Sequence, residues 1–133
     1  MVSRSDLSIL GCVTLDGSLK DNTKTDRVTQ PLLMITGDYH DLIRKFEQST
    51  KDEDRENAKR MSGYEEEYET LCHHSPNSYK QVIPDAEHMY FTDQPFRYYH
   101  PEDITAKKVS DAMRAHSTVS QEVLKFLGSC LSR

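Results

Sequence analysis

Three short, dense apolar runs interrupt an otherwise polar chain and predict three buried β-strands. The runs are Ser8–Leu15, Pro31–Thr36 and a segment that ends at Val82-Ile83. Short continuous apolar runs are typical of strands that neighbouring elements cover on both faces. Each run is followed by a turn signal, namely Asp16-Gly17, Gly37-Asp38 and Pro84-Asp85. These signals predict where the strands end.

Two helices are predicted between the second and third strands. Tyr39–Gln48 carries an apolar stripe at Leu42, Ile43 and Phe46, which is expected to lie on a face of the sheet. Lys51–Glu69 is rich in charged residues and has only a thin apolar stripe. This second segment therefore predicts a helix that lies largely in solvent.

Further loops and helices surround the third strand. His73-His74 predicts a loop before it, and the proline-bounded segment Gln94–Pro101 predicts an aromatic loop after it. Thr105–Ala115 predicts a short helix, and a capping box at Thr118 and Gln121 predicts the start of a separate closing helix. The apolar face of the closing helix is expected to comprise Val123, Leu124, Leu127 and Leu131. This alternation predicts an α/β fold with about three parallel strands and helices packed on the sheet.

Composition narrows the classes of function. The chain has 133 residues, of which 35% are hydrophobic and 29% are charged, and its formal net charge is −5. The basic residues form no stripe, so no nucleic-acid partner is predicted. No apolar run approaches the roughly 20 residues that span a bilayer, and Met1–Asp6 lacks a signal-peptide core. Cys12, Cys72 and Cys130 have the spacing of neither a metal site nor a disulfide framework.

Two candidate catalytic residues follow predicted strands. Asp16 comes directly after the first strand, and His88 lies on the loop after the third. The carboxyl ends of parallel strands meet at one edge of a sheet, where catalytic groups collect. In a Ser-His-Asp triad the acid orients the imidazole, whose other nitrogen takes the proton of the nucleophile. We therefore interpret Asp16 and His88 as an acid and a base; the simpler alternative is that His88 is an ordinary loop histidine.

The chain contains no recognisable nucleophile for such a triad. α/β-Hydrolases carry serine, acid and histidine in that order, with the serine in a G-x-S-x-G motif. No such motif occurs here, and only 15 residues precede Asp16, too few for the strand and helix that present the serine. Residues 1–133 are therefore expected to form the C-terminal part of a hydrolase domain. By itself this part should be marginally stable and have little or no esterase activity.

Four segments resemble the C-terminal part of the platelet-activating factor acetylhydrolases, which are calcium-independent phospholipases A2 of the α/β-hydrolase fold. The segments are LDG at Leu15–Gly17, QPLLMITGDY at Gln30–Tyr39, EHMYFTD at Glu87–Asp93 and the terminal VSQEVLKFL. By this resemblance, Asp16 matches the catalytic acid of the family and His88 matches its catalytic histidine. The serine of the family has no counterpart in this chain.

The resemblance implies ester hydrolysis through an acyl-serine, without a metal or an organic cofactor. The substrate is expected to be a phospholipid with a short or oxidised acyl group at the sn-2 position. A protein partner is also expected, either the N-terminal part of the same domain or a second copy of the chain in a homodimer.

Three alternatives remain open. Asp38 and Asp41 compete with Asp16 for the role of the acid, because most α/β-hydrolases carry it after the strand that corresponds to Pro31–Thr36. We favour Asp16 and interpret Asp38 as a helix cap.

The second alternative is that the chain is a non-catalytic interaction module, which binds through Lys51–Glu69 and the aromatic loop. The third alternative is that the chain belongs to another serine hydrolase, with an unrelated acyl substrate.

Overall fold

The computed structural model describes residues 10–17, 27–92 and 106–132 of the chain. Over these ranges it contains three parallel strands in one sheet, three α-helices and a short 3-10 helix. The strands are β1 (Cys12–Leu15), β2 (Leu32–Gly37) and β3 (Ser78–Ile83). The helices are α1 (His40–Glu47), α2 (Asp52–His74) and α3 (Ala106–Leu131), and the 3-10 helix is η1 (His88–Phe91). The predicted α/β class with a parallel sheet is confirmed.

The central strand of the sheet is β2, which lies between β1 and β3. Its first residue, Leu32, pairs with Cys12 of β1 and Ser78 of β3, so the carboxyl ends of all three strands lie at the same edge. All six residues of β2 are buried, as its continuous apolar run predicts. β1 is only half-buried, and Leu15 is 42% exposed. The prediction of full burial is wrong for β1 because, within the described ranges, only β2 pairs with it.

Side chains of β2 alternate between two hydrophobic clusters on opposite faces of the sheet. Leu33 and Ile35 belong to the cluster that α3 covers. Leu32 and Met34 belong to the cluster that α2 covers. The sheet is therefore a middle layer with helical packing on both faces, which fixes the position of the strand ends.

The polar segment after β2 forms two helices that pack on each other. The buried residue of α1 is Ile43, and α1 packs against α2 rather than on the sheet face that its apolar stripe predicts. α2 is more than a solvated helix, because Tyr68 and Leu71 are buried against the sheet. The helix also continues through His73-His74, so the loop predicted there is wrong. The packing of Leu71 on the sheet holds the last turns of α2 in helical form.

The C-terminal segment is the single helix α3, whereas the sequence predicts two helices. Thr118 does not cap this helix, because it lies in the helix interior. Its hydroxyl donates to the carbonyl of Arg114, four residues earlier, at 3.0 Å. The predicted apolar face is correct for Val123, which packs against the core. It is wrong for the three leucines, which are exposed to 71% at Leu124, 40% at Leu127 and 74% at Leu131.

The face of α3 that meets the sheet combines small side chains with one aromatic ring. Its buried residues include Ala112, Ala115, Phe126 and Cys130. The approach is close, since a Cβ atom on Gly11 beside β1 would lie 2.8 Å from Cys130 Sγ. At position 130 a leucine side chain would therefore have no room.

Some predictions lie outside the described residues. They are the aromatic loop Gln94–Pro101, the beginning of the first apolar run at Ser8, and Thr105 before α3. Of the helices that the structure describes, none has an apolar stretch long enough to cross a bilayer.

Candidate functional site

Asp16 lies immediately after β1 in a left-handed backbone conformation. Its φ angle is 47°, which aspartate adopts more readily than most residues. Its backbone N–H still donates to the carbonyl of Ile35 at 2.7 Å, so the parallel ladder continues to this position. The Asp16 side chain is only 8% exposed. The strand end therefore places a largely buried carboxylate at the edge of the sheet.

His88 is brought to the same edge by the turn that follows β3. Asp85 has a φ of 57°, and η1 then begins at His88. The distance from His88 Nδ1 to Asp16 Oδ2 is 2.5 Å, although 72 positions separate the two residues in the chain. The imidazole is 65% exposed. The predicted proximity of Asp16 and His88 is confirmed; their catalytic roles stay a prediction.

Two further donors hold the Asp16 carboxylate. The Tyr39 hydroxyl donates to Oδ2 at 2.5 Å, and the backbone N–H of Gly37 donates to Oδ1 at 3.2 Å. Burial raises the pKa of Tyr39 well above its ordinary value, and the hydrogen bond to Asp16 raises it further. Sequence analysis missed Tyr39, because a tyrosine at the start of a helix matches no motif.

The backbone after the acid is tied to α2. The Tyr68 hydroxyl donates a hydrogen bond to the carbonyl oxygen of Gly17. Burial, together with the nearby charge of Asp16, raises the pKa of Tyr68 from its ordinary value of 10.0 to about 12. α2 thereby contributes to the position of the acid as well as to the core.

The competing acids are engaged elsewhere. The Asp38 carboxylate accepts from His40 Nδ1 at 2.9 Å and from the His40 backbone N–H at 3.2 Å. The His40 side-chain hydrogen bond is the main reason why the pKa of Asp38 is lowered. Asp41 pairs with Arg44 on the exposed side of α1.

The interpretation of Asp38 as a helix cap is off by one residue. Tyr39 occupies the N-cap position and makes no side-chain capping bond. Asp38, one residue earlier, nevertheless satisfies the first N–H of α1 through its bond to His40. Asp38 and Asp41 thus contact residues of α1, whereas His88 contacts the carboxylate of Asp16.

An open cleft of about 1020 Å³ lies beside the imidazole. Its wall includes apolar and aromatic side chains from α1, α2 and η1, namely Leu42, Met61, Tyr64, Tyr68, Met89 and Tyr90. Seven carboxylate residues also line it, namely Asp16, Asp38, Asp41, Glu65, Asp85, Glu87 and Asp111. The basic residues in the lining are Arg60, Lys107 and Lys108, in addition to His88.

The cleft lining does not include a serine or a cysteine among the described residues. Thr36 supplies an aliphatic hydroxyl, but it is buried and donates to the carbonyl of Gly37 at 2.7 Å. Nor do three histidine, cysteine or carboxylate side chains converge to hold a metal ion within the part of the chain that is described.

The arrangement fixes which nitrogen of His88 can act as a base. An ionised carboxylate only accepts hydrogen bonds, so His88 Nδ1 must carry the proton that is shared with Asp16. In the neutral ring, Nε2 then has a free lone pair. His88 Nε2 can therefore take a proton from a hydroxyl group or a water molecule in the cleft.

No protein-family model, curated protein or solved structure matches this chain.

Proposed function

We propose that this chain is the acid- and base-bearing part of a serine esterase of the α/β-hydrolase class. In this proposal Asp16 orients His88, and His88 takes the proton of a serine that a preceding part of the polypeptide or a partner chain supplies. The observation that carries the proposal is the 2.5 Å contact between Asp16 Oδ2 and His88 Nδ1, beside a cleft and with the imidazole exposed.

The proposed reaction is ester hydrolysis in two steps. His88 Nε2 accepts the serine proton as the serine oxygen attacks the ester carbonyl, and the leaving alcohol departs with that proton. Water then attacks the acyl-serine with His88 as the base, which releases the carboxylic acid and restores the serine. The negative charge of Asp16 stabilises the imidazolium in both steps.

The proposed family is that of the platelet-activating factor acetylhydrolases, and the proposed substrate is a phospholipid with a short or oxidised sn-2 acyl group. Support comes from the four resembling segments and from the position of Asp16 and His88 after β1 and β3. The cleft, at about 1020 Å³, is far larger than an acetyl group requires, so it also has room for other parts of a phospholipid.

The charge of the cleft favours a second candidate, a serine hydrolase with a different acyl substrate. Seven carboxylate residues line the cleft against three lysine and arginine residues. Such a lining repels an anionic phosphate and favours a neutral or cationic ester.

The outer surface of α3 favours a third candidate, a non-catalytic interaction module. Leu124, Leu127 and Leu131 follow one another at helical spacing and are exposed. Apolar side chains that are grouped on a surface commonly mark an interaction site.

The test begins with the coding sequence upstream of Met1. An in-frame G-x-S-x-G motif, followed by about 20 residues that lead into Asp16, would supply the serine. The longer polypeptide is then assayed with a short-acyl phosphocholine ester and with p-nitrophenyl acetate, and His88→Ala serves as the inactive variant.

Each outcome selects one candidate. Hydrolysis of both esters that is lost in His88→Ala supports the acetylhydrolase proposal. Hydrolysis of p-nitrophenyl acetate alone supports another serine hydrolase. A stop codon in place of the motif, with no turnover by the 133-residue chain, supports the interaction module.

A further inference from the structure

One carboxylate oxygen at the candidate site has two partners. Asp16 Oδ2 lies 2.5 Å from the Tyr39 hydroxyl and 2.5 Å from His88 Nδ1. The other oxygen, Oδ1, accepts from the Gly37 backbone N–H at 3.2 Å. Because a carboxylate rotates about its Cβ–Cγ bond, it needs a contact on each oxygen to keep one orientation. Tyr39 and Gly37 provide these contacts from the same end of β2.

The backbone at Gly37 allows Tyr39 to reach the acid. A Cβ atom on Gly37 would lie 2.9 Å from Tyr39 Cζ and 3.0 Å from Tyr39 Oη. The phenol thus lies directly over the glycine, and any other residue would displace it. Tyr39 is also the N-cap of α1, so its backbone is fixed by the strand on one side and the helix on the other.

Tyr39 remains a donor over the working range of pH. Its raised pKa, caused by burial and by the Asp16 carboxylate, keeps the phenol protonated far above neutrality. The hydroxyl therefore donates to Asp16 Oδ2 at every pH at which the site is expected to work.

We propose that Tyr39 is a positioning residue that holds the Asp16 carboxylate in the orientation from which it fixes the tautomer of His88. Without the hydroxyl, no fixed group in the described ranges holds Oδ2 apart from the exposed His88 ring itself, so the carboxylate turns away from His88 Nδ1 for part of the time. The ring then also adopts the tautomer with the proton on Nε2, which cannot accept a proton from a nucleophile. The relevance of this contact to catalysis rests on the esterase function proposed above, whereas the effect on the tautomer does not.

The experiment is nitrogen NMR of the histidine rings in the ¹⁵N-labelled 133-residue chain at mildly alkaline pH. In the wild-type chain, His88 Nδ1 is expected to give the signal of a protonated ring nitrogen and Nε2 that of an unprotonated one. In Tyr39→Phe, both signals are expected to shift toward the average of two tautomers. An unchanged His88 spectrum in Tyr39→Phe would overturn the proposal.

Two matched variants separate positioning from general effects. Tyr64→Phe removes a hydroxyl elsewhere in the cleft lining, and Tyr68→Phe removes the hydrogen bond to Gly17 without touching the carboxylate. Tyr64→Phe should retain the wild-type His88 spectrum. Tyr68→Phe should shift it much less than Tyr39→Phe does, because it loosens the loop of the acid but leaves both oxygens of the carboxylate with their contacts. An equal tautomer shift in Tyr68→Phe would show that loosening of the loop, and not the Tyr39 hydroxyl, controls the ring.

A different hydrogen-bond donor on the ring of residue 39 should rescue the tautomer of His88. Tyr39→4-aminophenylalanine keeps an N–H group near Asp16 Oδ2, so it should restore the wild-type tautomer. If Tyr39→Phe does not fold, this variant decides the question, because a mixture of tautomers in it would contradict the proposal.

The same substitution distinguishes the positioning role from the proposed function. In the longer, serine-containing polypeptide, Tyr39→Phe should lower kcat by up to about 100-fold with little change in KM. A wild-type His88 that lacks the Nδ1 proton would overturn both proposals. A wild-type His88 that carries this proton, with no effect of Tyr39→Phe, would overturn the role of Tyr39 alone.

Discussion

Gly37 and Ala86 are in such close contact that a Cβ atom on Gly37 would lie 2.2 Å from the carbonyl oxygen of Ala86. This contact joins the end of β2 to the segment between β3 and His88. Real Cβ atoms do not approach a backbone oxygen so closely, and a backbone oxygen cannot move aside as a flexible side chain can. Gly37→Ala should therefore separate the two strand ends and lower the free energy of unfolding by about 3 kcal/mol or more.

The measurement is urea denaturation, with Gly63→Ala as the control. Gly63 lies within α2, and a Cβ atom there would meet no atom within 4 Å. Alanine stabilises a helix interior relative to glycine by about 1 kcal/mol, so this variant should be slightly more stable than the wild type. Equal stability of the two variants would contradict the close contact at Gly37.

The burial of Phe126 and the exposure of Leu124 predict different effects of alanine substitution on the two faces of α3. Phe126→Ala removes a ring from the core between α3 and the sheet, which should cost about 3–5 kcal/mol. Leu124→Ala removes an exposed side chain and should change stability by less than about 0.5 kcal/mol. Denaturant midpoints of the two variants check this, and a larger loss in Leu124→Ala would place the other face of α3 against the sheet.

These two faces also show what the sequence could predict about the fold. The dense run of β2 and the turn signals after it are local, so the strand and its end are predictable from pattern alone. On α3 the leucines at 124, 127 and 131 have helical spacing, but so do the alanines, Phe126 and Cys130. Pattern alone favours the larger leucines. The close approach of the helix to the sheet at Cys130, which leaves no room for a leucine there, arises only when the layers are assembled.

The buried phenol of Tyr68 predicts a loss of stability in alkali. Its pKa is raised from 10.0 to about 12, so the folded chain holds this proton after the unfolded chain has released it. The contribution of Tyr68 is complete below pH 10 and is lost as the pH rises toward 12, which lowers the free energy of unfolding. Between these pH values, the free energy of unfolding should fall less steeply in Tyr68→Phe than in the wild type.

The control for this measurement is Tyr64→Phe, which removes a phenol that is partly exposed on the same helix. A decline in Tyr68→Phe that is as steep as in the wild type would contradict a protonated, buried Tyr68. The comparison thereby tests the burial of the phenol whose hydroxyl donates to Gly17.

The candidate site was partly predictable for a physical reason. Asp16 and His88 follow β1 and β3, and parallel strands direct such residues to one edge, so their proximity follows from topology. Tyr39 was not predictable, because its contact depends on the absence of a side chain at Gly37 and on the angle at which α1 begins. The choice of Asp16 over Asp38 likewise needed the contacts with His40.

The most direct test of the central claim, that Asp16 orients His88 for proton transfer, is the kcat of Asp16→Asn beside that of Asp41→Asn in the polypeptide that carries this chain and the serine. Asparagine at position 16 can donate to His88 Nδ1 and favour the wrong tautomer, so kcat should fall by about 10⁴-fold. Asp41 pairs with Arg44 on an exposed helix surface, and its replacement should leave kcat nearly unchanged. A large loss in Asp41→Asn, with little or none in Asp16→Asn, would contradict the account.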